Sequence, residues 1–142
     1  MEVTCRSMTN FQVDISAGSH HVIADEPLDV GGDDTGPKPQ LLLLGALGSC
    51  VVITVEMYAK RKVWPLRSVE VRLSMDKVLA RDCEDCTSAP DEQVTVISMD
   101  VKFDGDLTAE QITRLTEIAA RCPVHRALTG EVKIRTLATG PA

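Results

Sequence analysis

Aromatic side chains are scarce: two phenylalanines, one tryptophan (Trp64) and one tyrosine (Tyr58) make up 3% of the 142 residues. A core therefore has to be assembled mainly from Leu, Val, Ile and Met. Runs of lysine and arginine are missing as well, and the net charge is −6. A nucleic-acid groove or an anionic membrane surface needs clustered cations, so neither partner is expected. The main apolar run, Leu41 to Val55, is shorter than the ~18–20 residues of a membrane span and is interrupted by small residues. It also begins too deep in the chain, behind an acidic stretch, for a secretory signal. No internal repeat appears and nothing marks a second domain, so one domain over residues 1–142 is expected. Five cysteines, an odd number, fit poorly with a secreted disulfide framework. A cytoplasmic setting is expected, where thiols stay reduced unless redox chemistry is their task.

What is present alternates between strand and helix patterns. FQVDI and HHVIADE flank the turn SAGS and predict a hairpin. Glu26–Pro39 carries prolines, paired glycines and paired aspartates, and reads as a loop. Gly31 and Gly32 lack the lysine and the spacing of a phosphate-binding loop. From Pro39 to Arg61 the pattern is helical, apolar nearly all round until Glu56, and predicts a buried central helix. Gly45, Gly48 and Ser49 on it invite close approach by another backbone. LRSVEVRLSMDKV and QVTVISMDVKF predict two strands joined by a polar connection that holds Cys83 and Cys86. DLTAEQITRLTEIAARC predicts a second helix, with a capping box from Thr108 and Gln111 and a stripe of Ile112, Leu115, Ile118 and Ala119. One or two further helical turns end at Gly130, and EVKIRTL reads as a last strand. This order implies an α+β fold with antiparallel sheet.

The chemistry lies in the cysteines. Cys122 directly precedes Pro123, a residue favoured at a first helical position, so Cys122 is placed to cap that turn. Free backbone N–H groups there favour the thiolate and pull the pKa below the ~8.5 of free cysteine. Arg121, His125 and Arg126 add positive charge nearby. The competing reading is a small buried hydrophobe at a helix junction. Cys50, within the apolar helix, reads on its own as core, where burial raises a thiol pKa unless a cation reaches it. In DCEDC each cysteine follows an aspartate, and the Cys-x-x-Cys is half of a zinc knuckle. No second half follows at standard spacing, and His20 and His21 join it only if folding brings them close. A structural pair, an accessory redox pair and a metal site all remain open for Cys83 and Cys86. The adjoining carboxylates raise thiol pKa values and disfavour an attacking role. Cys5 carries no functional argument.

Three stretches together, GGDDTGPKPQLLLLGALGSC, VVITVEMYAKRKVWPL and RCPVHRALTGEVKI, resemble the OsmC/Ohr superfamily over nearly the whole chain and in the same order. The resemblance implies an OsmC-like fold in which antiparallel sheets wrap two central helices of an intertwined homodimer. It implies a thiol peroxidase acting on organic hydroperoxides in oxidative-stress defence, with neither metal nor organic cofactor. Cys50 is then the peroxidatic and Cys122 the resolving cysteine, and a dithiol of lipoyl type the reductant. In such peroxidases a glutamate ten residues before the first cysteine holds an arginine from the N-terminal region. Here Gln40 stands at that position and Arg6 is the N-terminal candidate. Glutamine hydrogen-bonds a guanidinium without the charge-assisted pair. The alternative function is accordingly a non-catalytic ligand-binding module.

Overall fold

A computed structural model describes residues 1–141. Its elements run β1 (Thr4–Ser7), β2 (Val13–Ala17), β3 (His20–Ala24), α1 (Pro39–Lys62), β4 (Leu66–Leu79), β5 (Gln93–Gly105), α2 (Ala109–Ala119) and α3 (Pro123–Thr129). This is an α+β fold with antiparallel sheets, and its contacts divide into two compact units, one ending at Ala46 and one beginning at Leu47.

In the N-terminal unit the expected hairpin is present as β2 and β3, with Gly18 in the left-handed region at the turn. A strand the periodicity missed, β1, pairs with the outer edge of β2. It is short, exposed along most of its length and has no apolar alternation to reveal it. The following loop is tied down by Asp25, a carboxylate only 2% exposed. One oxygen accepts the Glu26 N–H at 2.8 Å; the other accepts the Thr35 N–H at 3.0 Å and the Thr35 hydroxyl at 2.7 Å. Gly32 N–H donates to the Pro27 carbonyl and Asp34 N–H to the Glu26 carbonyl. The loop amides are thus spent on the loop itself, as befits a plain loop rather than a phosphate cradle. A Cβ on Gly32 would lie 1.8 Å from the Glu26 carbonyl oxygen, which restricts the site to glycine.

In the second unit, β4 and β5 form a long hairpin. Val69, Val71 and Leu73 stand opposite Phe103, Val101 and Met99, and all six pack on the core. On the other face Glu70 stands opposite Lys102 and Arg72 opposite Asp100, so opposite charges pair across the strands. At the bulge near Leu66, Arg67 grips Asp104 with two hydrogen bonds of 2.9 and 2.8 Å.

Helix α1 buries one line of residues, Leu47, Val51, Val55 and Ala59, spaced at i, i+4. The expectation that it is buried all round is corrected: Leu41, Leu43, Ile53 and Met57 are exposed. Its 24 residues are, by length and composition alone, enough to cross a membrane, unlike the shorter uncharged run within it. The expected close backbone approach is also refined. At Gly48 the neighbour is the Leu73 side chain, 2.9 Å from where a Cβ would sit, and Gly45 faces open space.

Helix α2 starts with the expected capping box, in which Thr108 Oγ1 accepts the Gln111 N–H and Gln111 Oε1 accepts the Thr108 N–H. Leu115, Ile118 and Ala119 are buried, whereas Ile112, expected on the stripe, is 42% exposed. Residues 131–137 form no strand, although their alternation suggested one, because no described edge pairs with them.

Asp25 supplies a stability prediction. Burial pushes its carboxyl up, but hydrogen bonds from Thr35, Glu26 and Asp33 more than offset this and hold it below its ordinary value of 3.8. Its contribution is complete above the unfolded value and is lost as pH falls through the native one. Urea unfolding of wild type and Asp25→Asn should differ most near neutrality, and the difference should shrink as pH falls below about 4.

Candidate thiol site

Cys122 caps α3 as its position before Pro123 foretold. Its backbone is extended, Pro123 occupies the first helical turn, and its Sγ accepts the His125 N–H at 3.2 Å. The Arg126 N–H donates to the Cys122 carbonyl at 3.0 Å. His125 and Arg126 therefore hold Cys122 through their backbone amides.

The same residue is fully buried, in the cluster formed by Leu47, Val51, Val55, Ala59, Leu115, Ile118 and Ala119. Both readings of Cys122 are thus present at once: it caps a helix and it fills the core. Cys50 is half-buried and packs against the same cluster from α1. The structure brings the two free thiols within hydrogen-bonding reach of each other.

One expectation is overturned. Burial pushes the Cys122 thiol above its ordinary value of 9.0; the His125 amide pulls it down, and the hydrogen bond with Cys50 pushes it up again. Local helix geometry favours the thiolate, but desolvation in an apolar core outweighs it. Cys122 therefore waits as a thiol. Cys50 is the more accessible of the two.

The other candidates lie elsewhere. Arg6 is exposed in β1, where its register partner is Asp14, and Gln40 is exposed in the first turn of α1. Both belong to the N-terminal unit, whereas Cys50, Cys122, His125 and Arg126 belong to the second. His21, in β3, bonds Asp14 at 2.9 Å. Cys83 and Cys86 are joined in a disulfide, and with Asp85 they form a cluster of three groups of metal-ligating type. Three such groups fall one short of a structural zinc set, and a disulfide withdraws two of them.

Two cavities had no signal in the sequence, because each is assembled from distant segments. One, of about 490 Å³, is lined by Leu47 of α1, by Cys83, Asp85 and Cys86, by Thr95, Val96, Ile97 and Met99 of β5, and by His125, Leu128 and Thr129 of α3. The other, of about 880 Å³, lies beside Met57, Tyr58, Arg61, Arg114 and Arg121. There Arg114 Nε donates to the Tyr58 hydroxyl at 3.1 Å, holding it below its ordinary value of 10.0, and Arg61, Lys62 and Arg114 all lie over the Tyr58 ring.

The site is thus a half-buried thiol beside a buried, helix-capping one, within an α+β fold. Residues 31–137 match the family described as OsmC-like protein, and the chain belongs to that family. Solved structures agree on the fold. An OsmC-like protein from Mycoplasma pneumoniae superposes with a TM-score of 0.71 at 16% identity, covering 91% of this chain and 86% of that one. The organic hydroperoxide resistance protein OhrB of Bacillus subtilis gives 0.61 at 19% identity, covering 91% and 90%. An organic hydroperoxide resistance protein OsmC from Legionella pneumophila gives 0.63 at 15% identity, covering 91% and 88%. No curated protein matches the chain by sequence.

The coupling of the two thiols is directly measurable. Because Cys50 raises the Cys122 pKa, Cys50→Ala should let Cys122 ionise at lower pH than in wild type. Thiolate absorbance at 240 nm across an alkaline titration reads this, and an unchanged or higher midpoint would contradict the contact.

Proposed function

We propose that the protein is a cysteine-dependent peroxidase that reduces organic hydroperoxides and serves in oxidative-stress defence in the cytoplasm. The observation that carries this reading is the contact between half-buried Cys50 and fully buried Cys122. The family and the hydroperoxide-resistance names of several structural relatives support it.

The Cys50 thiolate attacks the outer oxygen of the hydroperoxide, the O–O bond breaks, and the alkoxide leaves, taking up the proton given up by the Cys50 thiol to become an alcohol, as Cys50 becomes a sulfenic acid. The Cys122 sulfur then attacks the Cys50 sulfur, forming a disulfide and releasing water. The His125 amide, 3.2 Å from Cys122 Sγ, holds that sulfur at the helix start and favours the thiolate as the proton leaves. An external dithiol, of the lipoyl type, restores both thiols by exchange. Apolar neighbours of Cys50, with Leu47 and Val51 one turn or less away, suit an alkyl chain better than hydrogen peroxide.

The working form in this proposal is a homodimer. Ile53 is 56% and Met57 68% exposed on α1, and Val132 and Ile134 lie exposed in an unpaired C-terminal segment. Apolar groups of this kind are expected to be covered by a second copy.

A second reading, a non-catalytic ligand-binding module, is favoured by one feature: Gln40 cannot supply the charge that a glutamate offers an arginine. Cumene hydroperoxide consumption with dihydrolipoamide as reductant separates the two. The peroxidase reading expects turnover that falls by about 100-fold or more in Cys50→Ser and is strongly reduced in Cys122→Ser. Absence of turnover in the wild type would leave the binding module.

A further inference from the structure

Cys83 and Cys86 play no part in the peroxidase cycle described above, yet they open onto the cavity that adjoins it. That cavity has one wall from Leu47 of α1 and another from His125 and Leu128 of α3, with Cys83, Asp85 and Cys86 completing it. Leu47 precedes Cys50 by three residues, so the two share a helix face about one turn apart. His125 follows Cys122 by three residues, and its amide bonds the Cys122 sulfur. Both walls of the cavity therefore lead, within a turn, to the two thiols of the site. Access differs at one member of the inner pair: Cys122 is completely enclosed, whereas Cys50 is partly exposed, as are Cys83 and Cys86 on the connection between β4 and β5. A reductant dithiol meets Cys83 and Cys86 without opening the core.

Resting on the peroxidase reading, we infer that Cys83 and Cys86 are a relay that takes the disulfide from Cys50 and Cys122 and passes it to an external dithiol. The Asp85 carboxylate lies 3.4 Å from Cys83 Sγ, placed to take the Cys83 proton, so in this relay Cys86 is the attacking sulfur and Cys83 the one that closes the pair. The Cys86 thiolate attacks the Cys50 sulfur of the Cys50–Cys122 disulfide. A Cys86–Cys50 bond forms, and Cys122 leaves as a thiolate and takes up a proton. Cys83, surrendering its proton to Asp85, then attacks Cys86, and Cys50 leaves as the thiolate ready for the next peroxide. One S–S bond has broken, one has formed, and two electrons have moved from the outer pair to the inner one. Cys83 and Cys86 are joined in the structure, so their placement suits the disulfide that this step makes. A soluble or protein-borne dithiol reduces it and becomes a disulfide in turn.

The test follows the disulfide through one cycle. Fully reduced protein receives one equivalent of cumene hydroperoxide, is quenched with alkylating agent at successive times, and is mapped by mass spectrometry. The relay predicts Cys50–Cys122 first and Cys83–Cys86 later, with Cys50 and Cys122 free again. In Cys83→Ser/Cys86→Ser the Cys50–Cys122 disulfide should accumulate and persist, and its reduction by dihydrolipoamide should slow by about tenfold. If Cys50–Cys122 forms while Cys83 and Cys86 remain thiols, the relay is wrong and the peroxidase reading stands. If Cys83–Cys86 forms at the wild-type rate in Cys50→Ser, peroxide oxidises that pair directly and the relay is again wrong. If Cys50 is never oxidised, both readings fall together.

Discussion

The desolvation of the Cys122 sulfur is the constraint on which the site depends. That one atom ends the N-terminal opening of α3 by accepting the His125 amide, and it fills a place in the core between α1 and α2. Burial and capping act on its ionisation with opposite signs, and burial wins. The result is a thiol held still and shielded from solvent beside a more accessible partner. In the proposed cycle the resolving cysteine needs this combination, because it must not react with peroxide itself yet must meet a sulfenic acid without delay. The cap then favours the thiolate at the moment the proton departs.

The surrounding fold delivers this geometry with few aromatic groups. The small and branched residues of α1 make a flat face on which α2 and the β4–β5 hairpin pack, and Gly48 lets Leu73 come close. Leu115, completely buried, and Ile118 seat α2 so that its end places Cys122 opposite Cys50. The charged face of the hairpin points the other way, with Glu70 and Arg72 opposite Lys102 and Asp100. The β4–β5 hairpin and the helices are thus organised around one apolar layer, with Cys122 inside it and Cys50 packed against it.

Much of this was legible from residue order. The Cys-Pro junction announced the cap, the Thr108–Gln111 spacing announced the start of α2, and the alternation of the two long strands announced their hairpin. These are local signals, carried by residues a few positions apart. The sign of the Cys122 shift was not legible, because it depends on how completely α1 and α2 bury the sulfur. The one-sided burial of α1 was hidden for the same reason, since a helix apolar all round has no periodicity to say which face is covered. The cavity that joins Cys83 and Cys86 to His125 arises only when the hairpin and α3 come together, so no spacing could reveal it.

The central claim is that Cys50 receives the peroxide oxygen and that Cys122 answers it. Its most direct test uses Cys122→Ser protein treated with cumene hydroperoxide in the presence of dimedone, followed by peptide mass spectrometry. The account predicts a dimedone adduct on Cys50, dependent on peroxide and absent from wild type that has closed its disulfide. An adduct found only on Cys5, or none on Cys50, would contradict it.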